Sequence, residues 1–186
     1  YDLTVPLARV VAMNPQIPLP FKRYQIQPVW RADRPQRGRF REFYQCDVDV
    51  VGTENGLAEA ECIAIVHQAL LALGFAEFKI RLNDRRILRA MVSEIGALDR
   101  EVDILVAIDK LDKIGEKGVR ENLGEQGFSS EQIDRLFEML NNGGIPNVET
   151  EVSNLESIQQ MAHSLGVDPS RVCIDYTLAR GLDYYT

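Results

Sequence analysis

Cysteine and histidine are scarce in this chain. Its three cysteines, Cys46, Cys62 and Cys173, are an odd number without CxxC spacing, and its two histidines, His67 and His163, stand far apart. Neither a disulfide framework nor a structural zinc site is expected from that pattern. No apolar run approaches the ~20 residues needed to cross a bilayer. The opening YDLTVPLARV carries Asp2 and Arg9 rather than the pattern of a signal peptide. A reduced, cytoplasmic protein without membrane association is the expectation. No internal repeat is evident. The 186 residues are 45% hydrophobic and 26% charged, ordinary values for a soluble globular protein of one domain, or one domain plus a subdomain.

Excess positive charge is lacking too. The net charge of −7 argues against a generally adhesive nucleic-acid binder. The charge is uneven, however. Residues 1–50 hold eight Lys and Arg against five Asp and Glu, a balance of +3, and the remainder holds 13 against 23, a balance of −10. Positive potential therefore gathers in one region, which suits a local anionic ligand.

That region is FKRYQIQPVWRADRPQRGRFREFYQCDVDVVG, residues 21–52. Five arginines (Arg31, Arg34, Arg37, Arg39, Arg41) flank Pro35 and Gly38, with aromatic and β-branched segments on either side. The pattern predicts two antiparallel strands, about 24–31 and 39–51, joined by a basic loop. With a two-residue period, Phe43, Gln45, Asp47, Asp49 and Val51 share one face of the second strand. Tyr44, Cys46, Val48 and Val50 share the other, which is expected to be the core face. Buried carboxylates are costly unless paired, so the first face is expected to meet solvent or a polar ligand. Arginines suit an anion, and aspartates suit an amino or ring N–H group.

Elsewhere, Thr4-Val5-Pro6 followed by LARVVAM predicts a helix over about 5–14, ended by Asn14-Pro15. TENGLAEAECIAIVHQALLALG predicts an amphipathic helix with Leu57, Ala60, Ile63, Val66, Leu70 and Leu73 on its apolar side, closed by Gly74. FAEFKIRLN, 75–83, reads as a strand, and Asn83-Asp84 caps a helix over about 85–95. Charged helical segments follow at 98–114, 117–124, 129–141 and 149–165, with loops expected at 112–118 and 141–144. The final RVCIDYTLARGLDYYT returns to strand composition with alternation from Val172 to Leu178.

The segments YDLTVPLARVVAMN, VWRADRPQRGRFREFYQCDVDVVG and LARGLDYYT, in that order, closely resemble the histidyl-tRNA synthetases. The hairpin is similar to motif 2 of the class II synthetases, and RGLDYYT is similar to that family's histidine-binding signature. The resemblance implies an α+β fold with a mostly antiparallel sheet and flanking helices. Residues 1–95 and 171–186 would be parts of the catalytic domain, and 96–170 a helical insertion subdomain that meets the tRNA acceptor arm. It also implies that histidine is activated with ATP, supplied with Mg2+, and passed to tRNA(His), without a structural metal.

The same resemblance assigns roles. Arg31 would clamp the α-phosphate and the carboxylate, Arg39 the far phosphates, and Asp33 the adenine end, with Phe43 stacked on adenine. Arg180 would approach the α-phosphate from the opposite side. Asp2, Thr4 and Gln45 would bind the α-amino group, and Asp49 the imidazole N–H, helped by Tyr184 or Tyr185. Asp47 shares that face without a role.

The chain starts at Tyr1 without Met and stops at Thr186, and is read as a piece of a longer, homodimeric protein. Motif 1, motif 3 and the anticodon-binding domain of the family are not among these residues, so the piece alone is expected to be weak or inactive as a catalyst. The main alternative is a non-catalytic paralogue such as the regulatory subunit of ATP phosphoribosyltransferase. Such paralogues tend to lose the adenylation residues, whereas Arg31, Arg39, Gln45 and Arg180 are all present. A bare RNA-binding module, the third reading, is opposed by the acidity of the chain.

Overall fold

A computed structural model of the chain describes residues 1–180. The chain divides into two compact units, residues 1–62 and 63–186.

The first unit opens with α1, Thr4–Met13. Its N-terminal N–H groups are satisfied from outside the helix, since Asp2 Oδ1 accepts from the backbone of Thr4 at 3.1 Å and of Val5 at 3.2 Å. Asp2, rather than Thr4, is therefore the capping side chain. The hairpin follows as β1, Phe21–Trp30, and β2, Glu42–Val51. Its antiparallel register runs from Phe21 opposite Val51 to Trp30 opposite Glu42. The connecting loop is pinned where Arg31 N donates to Arg41 O at 2.8 Å, and again by the reciprocal pair Gln36–Arg39.

The expected core face of the hairpin is corrected. Tyr44 is 71% exposed, Cys46 and Val48 are exposed, and Tyr24, Ile26 and Trp30 join them on β1. Phe43, Gln45, Asp47 and Asp49 are the half-buried set. A two-residue period separates two faces but does not say which one meets the neighbouring chain. Here the segment leading into α1 lies against the polar face, where Arg23 Nη2 donates to Leu3 O and Arg31 Nε to Tyr1 O.

The next helix, α2, covers Leu57–Ala72. Its buried positions are Ala60, Ile63, Ala64 and His67, whereas Leu57, Val66 and Leu73 are exposed, so the buried stripe is narrower and rotated relative to the expected one.

In the second unit, β3 is only Ile80–Leu82, paired in parallel with β4, Val172–Ile174. Both strands are shorter than expected. Phe75 is exposed rather than part of a ladder. Beyond Ile174 the Asp175 side chain draws the backbone into a turn by accepting from Thr177 N and Oγ1. The helices are α3 (Arg85–Glu94), α4 (Glu101–Asp109), α5 (Leu111–Glu125), α6 (Ser130–Asn142) and α7 (Glu149–Ser164). Asp84 caps α3 by accepting from Arg86 N at 2.8 Å. Ser129 and Gln132 form a reciprocal capping box on α6. The single helix expected over 98–114 is broken by a 3-10 turn, Leu98–Arg100, and at Lys110. The loop expected at 112–118 is helical instead. Gly115, at φ 69°, absorbs a kink inside α5 that any Cβ-bearing residue would resist.

One apolar cluster binds these helices together. Ile87, Leu88, Met91 and Val92 of α3 meet Ile104 and Ile108 of α4, Leu136 and Phe137 of α6, and Ala179. Each such large side chain contributes about 1.5–3 kcal/mol by leaving water. The chain is α+β, and among the described residues the longer of two ladders is antiparallel. Among the described residues no helix is long and apolar enough to cross a membrane.

Candidate active site

The alternation of β2 turns Phe43, Gln45, Asp47 and Asp49 to one face, and the register sets Val29, Gln27, Gln25 and Arg23 beside them. Two guanidinium groups organise this face. Arg23 donates from Nε to Asp49 Oδ2 at 2.9 Å and from Nη2 to Leu3 O at 3.1 Å. Arg31 donates from Nε to Tyr1 O at 2.9 Å and lies 5.0 Å from the Phe43 ring centroid. The α1 lead-in is thus stapled to the hairpin through the carbonyls of Tyr1 and Leu3, and Asp2 between them is 6% exposed.

Gln45 Nε2 reaches Asp47 Oδ2 at 3.5 Å, while its Oε1 is buried and meets no donor among the described residues. An orphaned buried carbonyl is costly unless a ligand or water supplies an N–H or O–H. Asp33 and Arg39 lie in the exposed loop. The Asp33 carbonyl accepts from Arg41 Nε at 3.3 Å, and Arg39 takes part through its backbone. Thr4 is exposed and donates its N–H to Asp2.

Charge compensation differs sharply along the chain. Arg81, Arg86, Arg89, Arg100, Arg120, Arg135, Arg171 and Arg180 all pair with carboxylates. Among the described residues, Arg31, Arg34, Arg37, Arg39 and Arg41 pair with none. A guanidinium cannot shed its proton, so five arginines against Asp33 leave the hairpin loop with a fixed net positive charge able to receive an anion.

The first unit therefore carries Phe43, Gln45 and Asp49 on one face of β2, with Arg31 over Phe43 and Asp2 on the segment tied to the hairpin. Arg180 belongs to the second unit, after β4, with Nε 3.2 Å from Asp109 Oδ1. Tyr184 and Tyr185 lie outside the described residues. No group of three His, Cys, Asp or Glu side chains able to hold a metal is found among the described residues. His67 is buried and packs against Phe78, with ring centroids 5.7 Å apart.

A family model described as histidyl-tRNA synthetase matches residues 1–186. The chain belongs to the histidyl-tRNA synthetase family. It is 46% identical over 202 residues to a histidine–tRNA ligase of Cytophaga hutchinsonii and 43% identical over 201 residues to one of Aeropyrum pernix. Both alignments take in the whole chain and 45% of the relative. The chain thus spans about half the length of the curated relatives it matches. A crystal structure of histidyl-tRNA synthetase from Nostoc sp. PCC 7120 superposes with a TM-score of 0.87 at 33% identity, covering all of this chain and 47% of that one. A structure from Bacillus halodurans, titled as an ATP phosphoribosyltransferase regulatory subunit/histidyl-tRNA synthetase, gives 0.80 at 25% identity, covering all of this chain and 51% of that one.

Within a histidyl-tRNA synthetase fold, three polar residues escaped the sequence reading: Arg23, Arg81 and Asp109. Arg23 stood just before the predicted strand, and only the register with Asp49 reveals it. Arg81 and Asp109 find partners far away in sequence, Asp175 and Arg180, and no local pattern signals that.

Proposed function

We propose that the chain is the catalytic-core part of a histidine–tRNA ligase, acting in the cytoplasm as part of a homodimer. Residues 1–95 and 171–186 belong to the catalytic domain, and 96–170 form the helical insertion. The arginine loop, unpaired with carboxylates among the described residues, leads into the strand that holds the orphaned Gln45 carbonyl, and this is the observation that carries the reading. The substrates are histidine, ATP with Mg2+, and tRNA(His).

In the first step a histidine carboxylate oxygen attacks the α-phosphorus of ATP. The bond to the β-phosphate oxygen breaks, leaving histidyl-adenylate and pyrophosphate. Negative charge grows on the phosphate oxygens, so preorganised guanidinium groups lower the barrier. Arg31 holds the α-phosphate and carboxylate, and Arg39 the outer phosphates. Arg180 is assigned the α-phosphate as well, and Asp33 the adenine end. Phe43 stacks on adenine with the face that Arg31 leaves open. Gln45 Oε1, Asp2 and Thr4 receive the α-ammonium group. Asp49 keeps one carboxylate oxygen beyond its bond to Arg23 and accepts the imidazole N–H, a role in which Tyr184 or Tyr185 is assigned to help. In the second step a hydroxyl of the terminal adenosine attacks the carbonyl, and AMP leaves.

The Bacillus halodurans title supports a second reading, a regulatory paralogue without adenylation chemistry. ATP–pyrophosphate exchange by the full-length protein, with histidine against other amino acids, separates the two. Histidine-dependent exchange that falls by orders of magnitude in Arg180→Ala is expected. No exchange with any amino acid would overturn the ligase reading.

A further inference from the structure

We propose that Asp109, at the end of α4, is a positioning residue that sets the guanidinium of Arg180 for its phosphate. The helical segment thereby governs adenylation. The inference rests on the phosphate role given to Arg180 above.

The backbone leading to Arg180 is tightly held. Asp175 N extends the β3–β4 pairing by donating to Leu82 O at 2.8 Å. Asp175 Oδ1 accepts from Thr177, and its Oδ2 accepts from Arg81 Nη1 at 3.1 Å. Asn83 Nδ2 donates to the carbonyls of Tyr176 and Leu178. Ala179 is buried in the helical core. The main chain is therefore anchored up to Arg180, and what remains free is a long side chain, 60% exposed. Its rotamer freedom would blur any phosphate contact.

Asp109 removes that freedom through the contact from Arg180 Nε to its Oδ1 at 3.2 Å. A guanidinium has five N–H donors, so one carboxylate leaves others to grip phosphate oxygens. Three residues on, Asp112 Oδ2 accepts from Arg81 Nη2 at 2.7 Å. Two carboxylates at the α4–α5 junction thus each hold an arginine attached to the β3–β4 pair. Pairs this exposed add little stability. Their consequence is orientation.

The test is ATP–pyrophosphate exchange with histidine, using the full-length protein and its Asp109→Ala, Asp109→Glu, Arg180→Ala and doubly substituted forms. Asp109→Ala is expected to lower kcat about tenfold or more, with KM for histidine and the thermal midpoint unchanged. Asp109→Glu should recover most of the rate. In the Arg180→Ala background the Asp109 substitution should cost nothing further, because the two residues act as a unit. Wild-type or faster exchange in Asp109→Ala would overturn the inference. So would an equal fold-loss with and without Arg180, and in either case the role of Arg180 would stand. Exchange unchanged by Arg180→Ala would overturn both this inference and the role on which it rests.

Discussion

Arg23 sits directly across the hairpin from Asp49 and donates to its carboxylate at 2.9 Å while gripping the carbonyl of Leu3. The pair is 16% and 22% exposed in its side chains, so solvent screens it only partly. Removing the cation leaves a half-buried carboxylate and a carbonyl without this donor. Arg23→Ala should destabilise the full-length protein by about 1–3 kcal/mol and raise KM for histidine. Arg23→Lys should restore only part, because an ammonium lacks the fork that reaches both acceptors. Urea unfolding alongside exchange kinetics checks both. A lysine variant equal to wild type would show that the fork is not needed.

Asp2 is given two tasks that one substitution can separate. It caps α1 through two backbone N–H groups, and it is proposed to face the ammonium group of histidine. Asparagine caps about as well as aspartate, whereas alanine costs about 1 kcal/mol. Asp2→Asn should keep the unfolding midpoint and raise KM for histidine, while Asp2→Ala should change both. Unchanged KM in Asp2→Asn would remove the ammonium-binding role.

Gly52, just past β2, has φ 84° and a Leu19 methyl 2.6 Å from where a Cβ would stand. Leu19 is exposed and its side-chain end can swing away, so backbone strain is the lasting cost. Gly52→Ala should destabilise by about 1–2 kcal/mol. Adding Leu19→Ala should relieve only the steric part. Full recovery in the double variant would show that the clash, not φ, decides.

Acid sensitivity follows from Asp175. Burial alone would push its carboxyl up, but the Thr177 hydrogen bonds and Arg81 outweigh this and hold it below the usual carboxylate range. Asp84 is held low as well, chiefly by its side-chain hydrogen bond with Arg86. A carboxyl depressed in the folded state stabilises fully above its unfolded pKa, about 3.9, and loses that contribution as pH falls through the folded value. Below about pH 4 the urea midpoint should therefore drop. Asp175→Asn should flatten that drop while lowering stability at neutral pH. An equally steep fall in the variant would remove Asp175 as its source.

Much of the candidate site's local layout was legible because its code is local. The Pro6 and Asn14-Pro15 signals bound α1, and alternation in β2 put Phe43, Gln45 and Asp49 on one face. The letters around Arg31 and Arg180 carried the family. Alternation and capping act between near neighbours, so the chain needs no partner to express them. Tertiary structure alone decided that the polar face of the hairpin is the half-buried one, that Arg23 holds Asp49, and that Arg180 answers to Asp109. Those outcomes depend on which distant surfaces meet, and a one-dimensional period is the same whichever of its faces ends up covered.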